Sequence, residues 1–399
     1  MTFPAIPRAQ LREVIEASVR EWPVTLILGP RQCGKSHLVK LLGAPSGQFF
    51  DLEDMVDETR LRLHPQSVLG EMRGLVIIDE AQRMPELMPV LRVLADRPGS
   101  PARFVLTGSV ALPLRKTAGE SLAGRINTIE MGGFGIHELN DADITKLWLR
   151  GGFPPSFLAD TDAVSLRWRR QYLRQVLEGD LHQLVDTRLD ALQLQRMSMG
   201  LAHYNGQIWN ESELAQIVGT TPRTIGRYMD LFWRLFHVRL LPPYYVNVGK
   251  RLRKAPKLLF RDSGLPHVLL GIDSLATLQS HPKMGGSWEA FVIDQIIRLL
   301  GVYEDRCSHY GVHSGAELDL VIETPLGLIG FEIKYAPPTM TASMKSVMAD
   351  LKPARLYAIY MGDRDYPLAG PDDPIRAIGL SQLPELAIQL REEFKLDLL

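Results

Sequence analysis

A chain of 399 residues, 45% hydrophobic and 23% charged, has the make-up of ordinary globular protein. At about 150 residues per domain it divides into two or three domains. A net charge of −1 excludes a chain that seeks polyanions as a whole, so contact with nucleic acid requires a local basic patch. Two cysteines far apart, Cys33 and Cys307, exclude a disulfide framework and a zinc ribbon.

In chain order, the opening MTFPAIPRAQLREVIEASVREW becomes charged too soon for a secretory core. No run of about 18 uncharged apolar residues follows. A cytoplasmic protein with no membrane association is expected. From about residue 22 to 135, short apolar runs alternate with helical stretches: VTLILG, FFDLED, LVIIDEAQ, RFVLTGS and NTIEMGGF read as strands. Strands separated by helices predict a parallel sheet covered on both faces.

Between the first strand and the helix SHLVKLLG lies GPRQCGKS, in which Gly29, Gly34, Lys35 and Ser36 match the phosphate-binding pattern G-x-x-x-x-G-K-[ST] in full. Glycines let backbone N–H groups turn toward phosphate with no Cβ in the way. Lys35 is expected to reach the β- and γ-phosphates of ATP, and Ser36 to ligate Mg²⁺. Arg31, inside the loop, is a candidate nucleotide contact and a second candidate for the arginine that stabilises charge on the transferred phosphoryl group. LVIIDEAQ places Asp79 and Glu80 at the end of a buried strand, where Asp79 can hold Mg²⁺ through water and Glu80 can polarise the attacking water. At the end of FVLTGSV, either Thr107 or Ser109 could orient that water, or either could form an ST-turn.

Arg125, in SLAGR, directly precedes the last strand of this sheet. GPRQCGKS, LVIIDEAQ, LTGS and SLAGR, in this order, resemble the prokaryotic AAA+-type ATPases that carry a C-terminal domain of unknown function. GGFP at 151–154, KLLFRDSGL at 257–265 and GSWEAFV at 286–292 resemble that C-terminal region. The resemblance covers nearly the whole chain and implies an ATPase that works as a homo-oligomer. It implies that Arg125 points at a neighbour's γ-phosphate; the alternative is a surface arginine paired with a carboxylate. Ser36 stands where many relatives have Thr, and both hydroxyls can bind Mg²⁺.

From about 138 to 205 the pattern is helical, broken by GGFPPS. Residues 208–235 read as helix, turn, helix, with Leu214, Ile217 and Val218 on one apolar face and Ile225, Met229, Phe232 and Leu235 on the other. Arg223, Thr224 and Arg227 are placed on the exposed face of the second helix, where base contacts are made. Lys250, Arg251, Arg253, Lys254, Lys257 and Arg261 then crowd one short stretch, as in a basic wing that tracks phosphates. The alternative is a winged helix that only packs domains together.

The tail reads helix (GSWEAFVIDQIIRLLG), three strands, helix (TASMKSVMADLK), strand (ARLYAIYM). In AELDLVIETPLGLIGFEIKY, alternation puts Glu317, Asp319 and Val321 on one face of a strand, and Glu332 and Lys334 on one face of the next. Asp319 and Glu332 could bind Mg²⁺, with Lys334 steadying the attacking water and Glu289 adding a carboxylate from the preceding helix. The element order and D-x(12)-E-x-K resemble the PD-(D/E)XK nuclease fold, which implies a metal-dependent endonuclease or a descendant that has lost cleavage.

The expected architecture is therefore α/β in three parts. Residues 1–137 form an AAA+-type ATPase domain, 138–284 a helical and winged-helix domain, and 285–399 a nuclease-like domain. Two functions follow. One is an oligomeric, Mg²⁺-dependent ATPase that acts on DNA, with a nuclease tail. The other is an ATP-driven switch whose C-terminal modules bind protein or DNA without cleavage.

Overall fold

A computed structural model of the chain describes residues 6–99, 102–109, 119, 121–177, 189–245, 255–312, 315–368, 370 and 374–396. They form two compact units, Met1–Gly133 with Arg234–Phe236, and Phe134–Trp233 with His237–Leu399.

The first unit is built on strands β1 (Val24–Leu28), β2 (Phe49–Asp51), β3 (Gly74–Asp79), β4 (Ala102–Gly108) and β5 (Ile126–Glu130). Their order is β2-β3-β4-β1-β5, all parallel. All five residues of β1 are buried, as a central parallel strand covered on both faces requires. Val24, Leu26 and Leu28 share one core with Val76, Ile78, Phe104 and Leu106. The helix Leu87–Ala95 turns Leu87, Met88, Leu91 and Leu94 into it at helical spacing. Each such side chain contributes about 1.5–3 kcal/mol by leaving water.

In the second unit, helices Ile144–Arg150, Pro154–Phe157, Asp162–Gln175 and Ala191–His203 come first. Strand β6 (Gln207–Ile208), helices Glu211–Val218 and Pro222–Arg234, and strands β7 (Val238–Leu241) and β8 (Lys257–Phe260) follow. β6, β8 and β7 make a three-stranded antiparallel sheet in that order. Asn210 caps the first helix of the pair through the N–H groups of Ser212 and Glu213, at 3.1 and 3.2 Å. Gly219, at φ 76°, ends that helix.

Two side chains of this helix pair differ from expectation. Ile217 is exposed, and Ala215 is buried with Leu214 and Val218 instead. Thr224 is buried rather than presented outward, with its hydroxyl 3.0 Å from that of Thr221 at the helix start. A first-turn threonine satisfies local polar groups there.

The long helix Met284–Leu300 leads into a six-stranded mixed sheet. Its strands are β9 (Cys307–Gly311), β10 (Glu317–Thr324), β11 (Gly327–Ile333), β12 (Arg355–Tyr360), β13 (Asp365–Pro367) and β14 (Ile375–Gly379), ordered β13-β14-β12-β11-β10-β9. Helix Ala342–Leu351 connects β11 to its parallel neighbour β12, and helix Leu383–Phe394 follows β14. β10 and β11 are antiparallel, joined at Thr324↔Gly327. Alternation does not run unbroken along β10. The β9–β10 register shifts between Leu318 and Val321, and both side chains enter the same core cluster. A bulge of this kind is what lets residues three apart share a face. Among the described residues no helix is long and apolar enough to cross a membrane, and Cys33 and Cys307 are both free thiols.

Candidate functional site

In a parallel sheet the carboxyl ends of all strands lie at one edge, where ligands bind. That edge of the first unit collects the loop after β1, Asp79–Glu80 after β3, and Thr107–Ser109 at the end of β4. Gly34 takes φ 101° at the start of the helix Lys35–Lys40, a conformation side chains disfavour. A Cβ on Gly29 would overlap the carbonyl of Met131. Lys35 is buried, and its ammonium donates to the carbonyls of Gly29 (2.8 Å) and Pro30 (2.9 Å). Ser36 is half-buried and Arg31 exposed.

The two acids are held separately. Thr107 Oγ1 donates to Asp79 Oδ1, and the N–H of Glu80 donates to Thr107 Oγ1 at 3.2 Å. Glu80 itself sits at φ 55°, a strained setting for a non-glycine residue and one that recurs at functional sites. Its Oε2 accepts from Gln82 Nε2 and from Ser109 Oγ (3.3 Å), and Gln82 also reaches Ser109 at 3.1 Å. Of the two alternatives at the end of β4, Thr107 meets Asp79 and Ser109 meets Glu80. Sequence reading missed Gln82. It also missed Arg8, whose guanidinium donates to Gly132 (3.1 Å) and Gly133 (2.9 Å) across 124 or more residues, with no local pattern to reveal it.

Arg125 precedes β5, which pairs with β1 from Val24↔Ile126 onward. It therefore lies at the opposite edge of the sheet from its own phosphate loop. A strand of five residues separates the two edges, about 16 Å. Within the chain Arg125 forms a bidentate pair with Asp96 (Nη2–Oδ2 3.0 Å).

In the second unit the three stretches GGFP, KLLFRDSGL and GSWEAFV meet. Asp262 accepts from the N–H groups of Gly152 (2.7 Å) and Gly264 (3.0 Å). A Cβ on Gly151, at φ 75°, would lie 2.6 Å from the Asp262 Cγ. His267 Nδ1 lies 3.0 Å from the Leu149 carbonyl and Nε2 2.6 Å from Ser287 Oγ, which also accepts from Trp148 Nε1 at 3.0 Å. Since a carbonyl only accepts, Nδ1 carries the proton and Nε2 accepts from Ser287. Burial holds His267 down at about 3, neutral at ordinary pH.

The acids of the tail gather near this junction around a residue assigned elsewhere from sequence. Lys257, on β8, lies with its ammonium between Glu289 and Asp319 (Asp319 Oδ1 at 3.2 Å). Asp319 Oδ2 accepts from the Ile333 N–H at 2.8 Å, and Lys334 Nζ donates to Glu332 Oε1 at 2.6 Å. Glu332 Oε2 is buried without a hydrogen bond. Burial, then the Asp319 charge, pushes the carboxyl groups of Glu289 and Glu332 up. Burial opposes the charge of Lys257, but Asp319 and Glu289 outweigh it and hold the ammonium up. Among the described residues no three His, Cys, Asp or Glu side chains converge as a metal-binding set. The three acids are brought into one cluster, but with an ammonium inserted between two of them.

The basic stretch is corrected in part. Lys257 and Arg261 do not lie on a solvated wing. Lys257 is buried as above, and Arg261 pairs with Glu304. Lys250, Arg251, Arg253 and Lys254 lie outside the described residues. Arg223 and Arg227 are both exposed on the helix Pro222–Arg234.

Three family models match consecutive stretches. They are an AAA domain over residues 21–140, a domain of unknown function (DUF8612) over 141–276, and a second (DUF4143) over 284–383. An uncharacterized protein of Mycobacterium tuberculosis and one of Mycobacterium bovis are each 42% identical to the chain over 377 residues, covering 94% of it and 83% of their own length. A Walker-type ATPase of Pyrococcus abyssi aligns with 66% of the chain and 95% of its own, at 17% identity and a TM-score of 0.46. The parallel sheet, the glycine loop carrying Lys35 and the Asp79–Glu80 pair lie within the AAA match, and the chain is a P-loop ATPase of the AAA type that belongs to one family with these mycobacterial proteins.

Proposed function

We propose that this ATPase is Mg²⁺-dependent, works as a homo-oligomer and acts on DNA. The observation that carries the reading is the cluster at the carboxyl edge of the first sheet. There Asp79 is held by Thr107, and Glu80 by Ser109 and Gln82, beside the loop that bears Lys35 and Ser36. The residues fit a nucleotide. Lys35 is buried on carbonyl oxygens rather than on a carboxylate, so its charge is left for an anion. Ser36 and Asp79 would hold the metal, which would draw charge from the phosphate oxygens. Gly29, Gly34, Lys35 and Arg31 would hold the phosphates, and Glu80 would align and polarise water, positioned by Ser109. Arg125 lies too far from its own loop to act there, which supports a role toward a neighbouring subunit, where a guanidinium is worth about 10³–10⁵ in rate.

The DNA reading rests on the capped helix pair with β6 before it and β7 and β8 after it in one antiparallel sheet, the element order of a winged helix, with Arg223 and Arg227 exposed. Replacing both by Glu should abolish DNA retention while ATP turnover persists. Unchanged retention would remove the assignment. Lys35→Ala should abolish turnover by the purified chain, and normal turnover would overturn the phosphate-loop reading.

A second reading concerns the tail. Helix, three strands, helix, strand supports a PD-(D/E)XK-like fold. Its residues do not fit a divalent ion, because Lys257 fills the space between Glu289 and Asp319. That favours a module that binds without cleaving. Loss of plasmid cleavage in Glu332→Ala, with Mg²⁺ or Mn²⁺, would instead establish a nuclease.

A further inference from the structure

We propose that Lys257 is a built-in cation that occupies the acid cluster of the C-terminal module and keeps divalent metal out of it. The inference rests on the non-cleaving reading of the tail and deepens it.

Position comes first. Lys257 is the first residue of β8 and pairs on both sides, with Ile208 of β6 and Leu241 of β7. Its backbone is fixed, and the residue is only 9% exposed.

Next is the surrounding chemistry. Glu289 comes from the helix Met284–Leu300 and Asp319 from β10, and Lys257 bonds both. The second oxygen of Asp319 is already used by the Ile333 N–H at 2.8 Å. A divalent ion shared by Glu289 and Asp319 would take the place that the ammonium holds. The two cannot coexist, since a monovalent and a divalent cation at contact distance in a buried site repel strongly. Leaving instead would cost the lysine both charge-assisted bonds. Glu332 is 4% exposed and its Oε2 accepts no hydrogen bond, so an unsatisfied oxygen remains buried beside the cluster. Buried polar atoms of this kind are uncommon, and only the other oxygen, Oε1, is met by the Lys334 ammonium, at 2.6 Å. Lys257 thus holds the place where Glu289 and Asp319 could otherwise receive a cation.

The test titrates nucleotide-free, EDTA-treated full-length chain with Mn²⁺, followed by electron paramagnetic resonance. Wild type should show no site that Asp319→Asn removes at millimolar Mn²⁺. Lys257→Gln should gain one site that fills at least tenfold below the highest Mn²⁺ concentration at which wild type shows none, and adding Asp319→Asn should remove it again. If Lys257→Gln loses its fold, recovery of helical circular dichroism by Mn²⁺, blocked by Asp319→Asn, reads the same gain. Equal binding by wild type and Lys257→Gln overturns the proposal. So does a variant that gains no site, or one that stays unfolded in Mn²⁺. The readout needs neither ATP nor DNA, so a failed DNA assignment leaves it unchanged. A wild-type chain that binds no Mn²⁺ yet cuts DNA would refute the non-cleaving reading alone.

Discussion

Gly151→Ala should destabilise the second unit by about 3 kcal/mol. The residue sits at φ 75° and ψ 175°, a region essentially reserved for glycine, where an L side chain costs roughly 1–3 kcal/mol. The less flexible unfolded chain returns about 0.4–1 kcal/mol of that. The larger contribution is steric. The new methyl would stand 2.6 Å from Asp262 Cγ, so the carboxylate must withdraw from the Gly152 or Gly264 N–H. A lost hydrogen bond to a charged group costs about 1.5–3 kcal/mol. Gly219→Ala is the control. Gly219, at φ 76° and ψ 44°, is ordinary left-handed backbone with open space where a methyl would stand, so it carries only the milder left-handed strain, about 1 kcal/mol net. Urea unfolding at pH 8, followed by tryptophan fluorescence, compares the midpoints of both variants with wild type. Equal losses would refute the steric argument and leave Asp262 no part in shaping the Gly151–Gly152 turn.

Arg125→Ala should lose hydrolysis while keeping nucleotide affinity. Its bond to Asp96 lies in solvent, so the unfolding midpoint should not move; lost affinity would make the residue structural. His267 is neutral in the folded chain and protonates near pH 6.5 when unfolded. Its contribution is therefore complete above pH 6.5 and falls as the pH drops toward about 3. At about 1.4 kcal/mol per unit, the loss amounts to several kcal/mol. The slope of stability against pH between 6 and 4 should be shallower in His267→Asn than in wild type, and parallel slopes would exclude a buried, neutral His267.

What could be read from sequence was local. VTLIL and LVIID are unbroken apolar runs that only a covered strand can bury, and both are strands. The glycine loop announces itself because its spacing is contiguous. The helix pair was legible because Leu214, Val218, Ile225, Met229 and Phe232 recur at helical spacing, although that periodicity could not tell whether Ile217 or Ala215 faces inward. Distance in sequence hid the rest. Lys257 lies 32 residues from Glu289 and 62 from Asp319, and beside other basic residues it reads as part of a wing. Period-2 reasoning failed on β10 because the bulge resets the faces between Leu318 and Val321. Strands β13 and β14 were not anticipated, and β13 is three residues long with one of them proline.

The helix Met284–Leu300 carries four partners in eleven or fewer residues. Ser287 bonds His267 and Glu289 bonds Lys257. Asp294 bonds Arg239 at 3.1 Å, and Gln295 accepts from the Ile136 N–H at 2.9 Å. These partners come from the segment before β6, from β7 and β8, and from the helix after β8. Sliding the helix by one residue would turn every one of those side chains by about 100° and break all four contacts together. In hydrogen-exchange terms, the amides of β7, β8 and this helix are expected to open together. Severing the chain just before residue 284 would leave Lys257, Arg239 and His267 without the groups that neutralise or hold them, so neither fragment would keep the exchange protection of the whole.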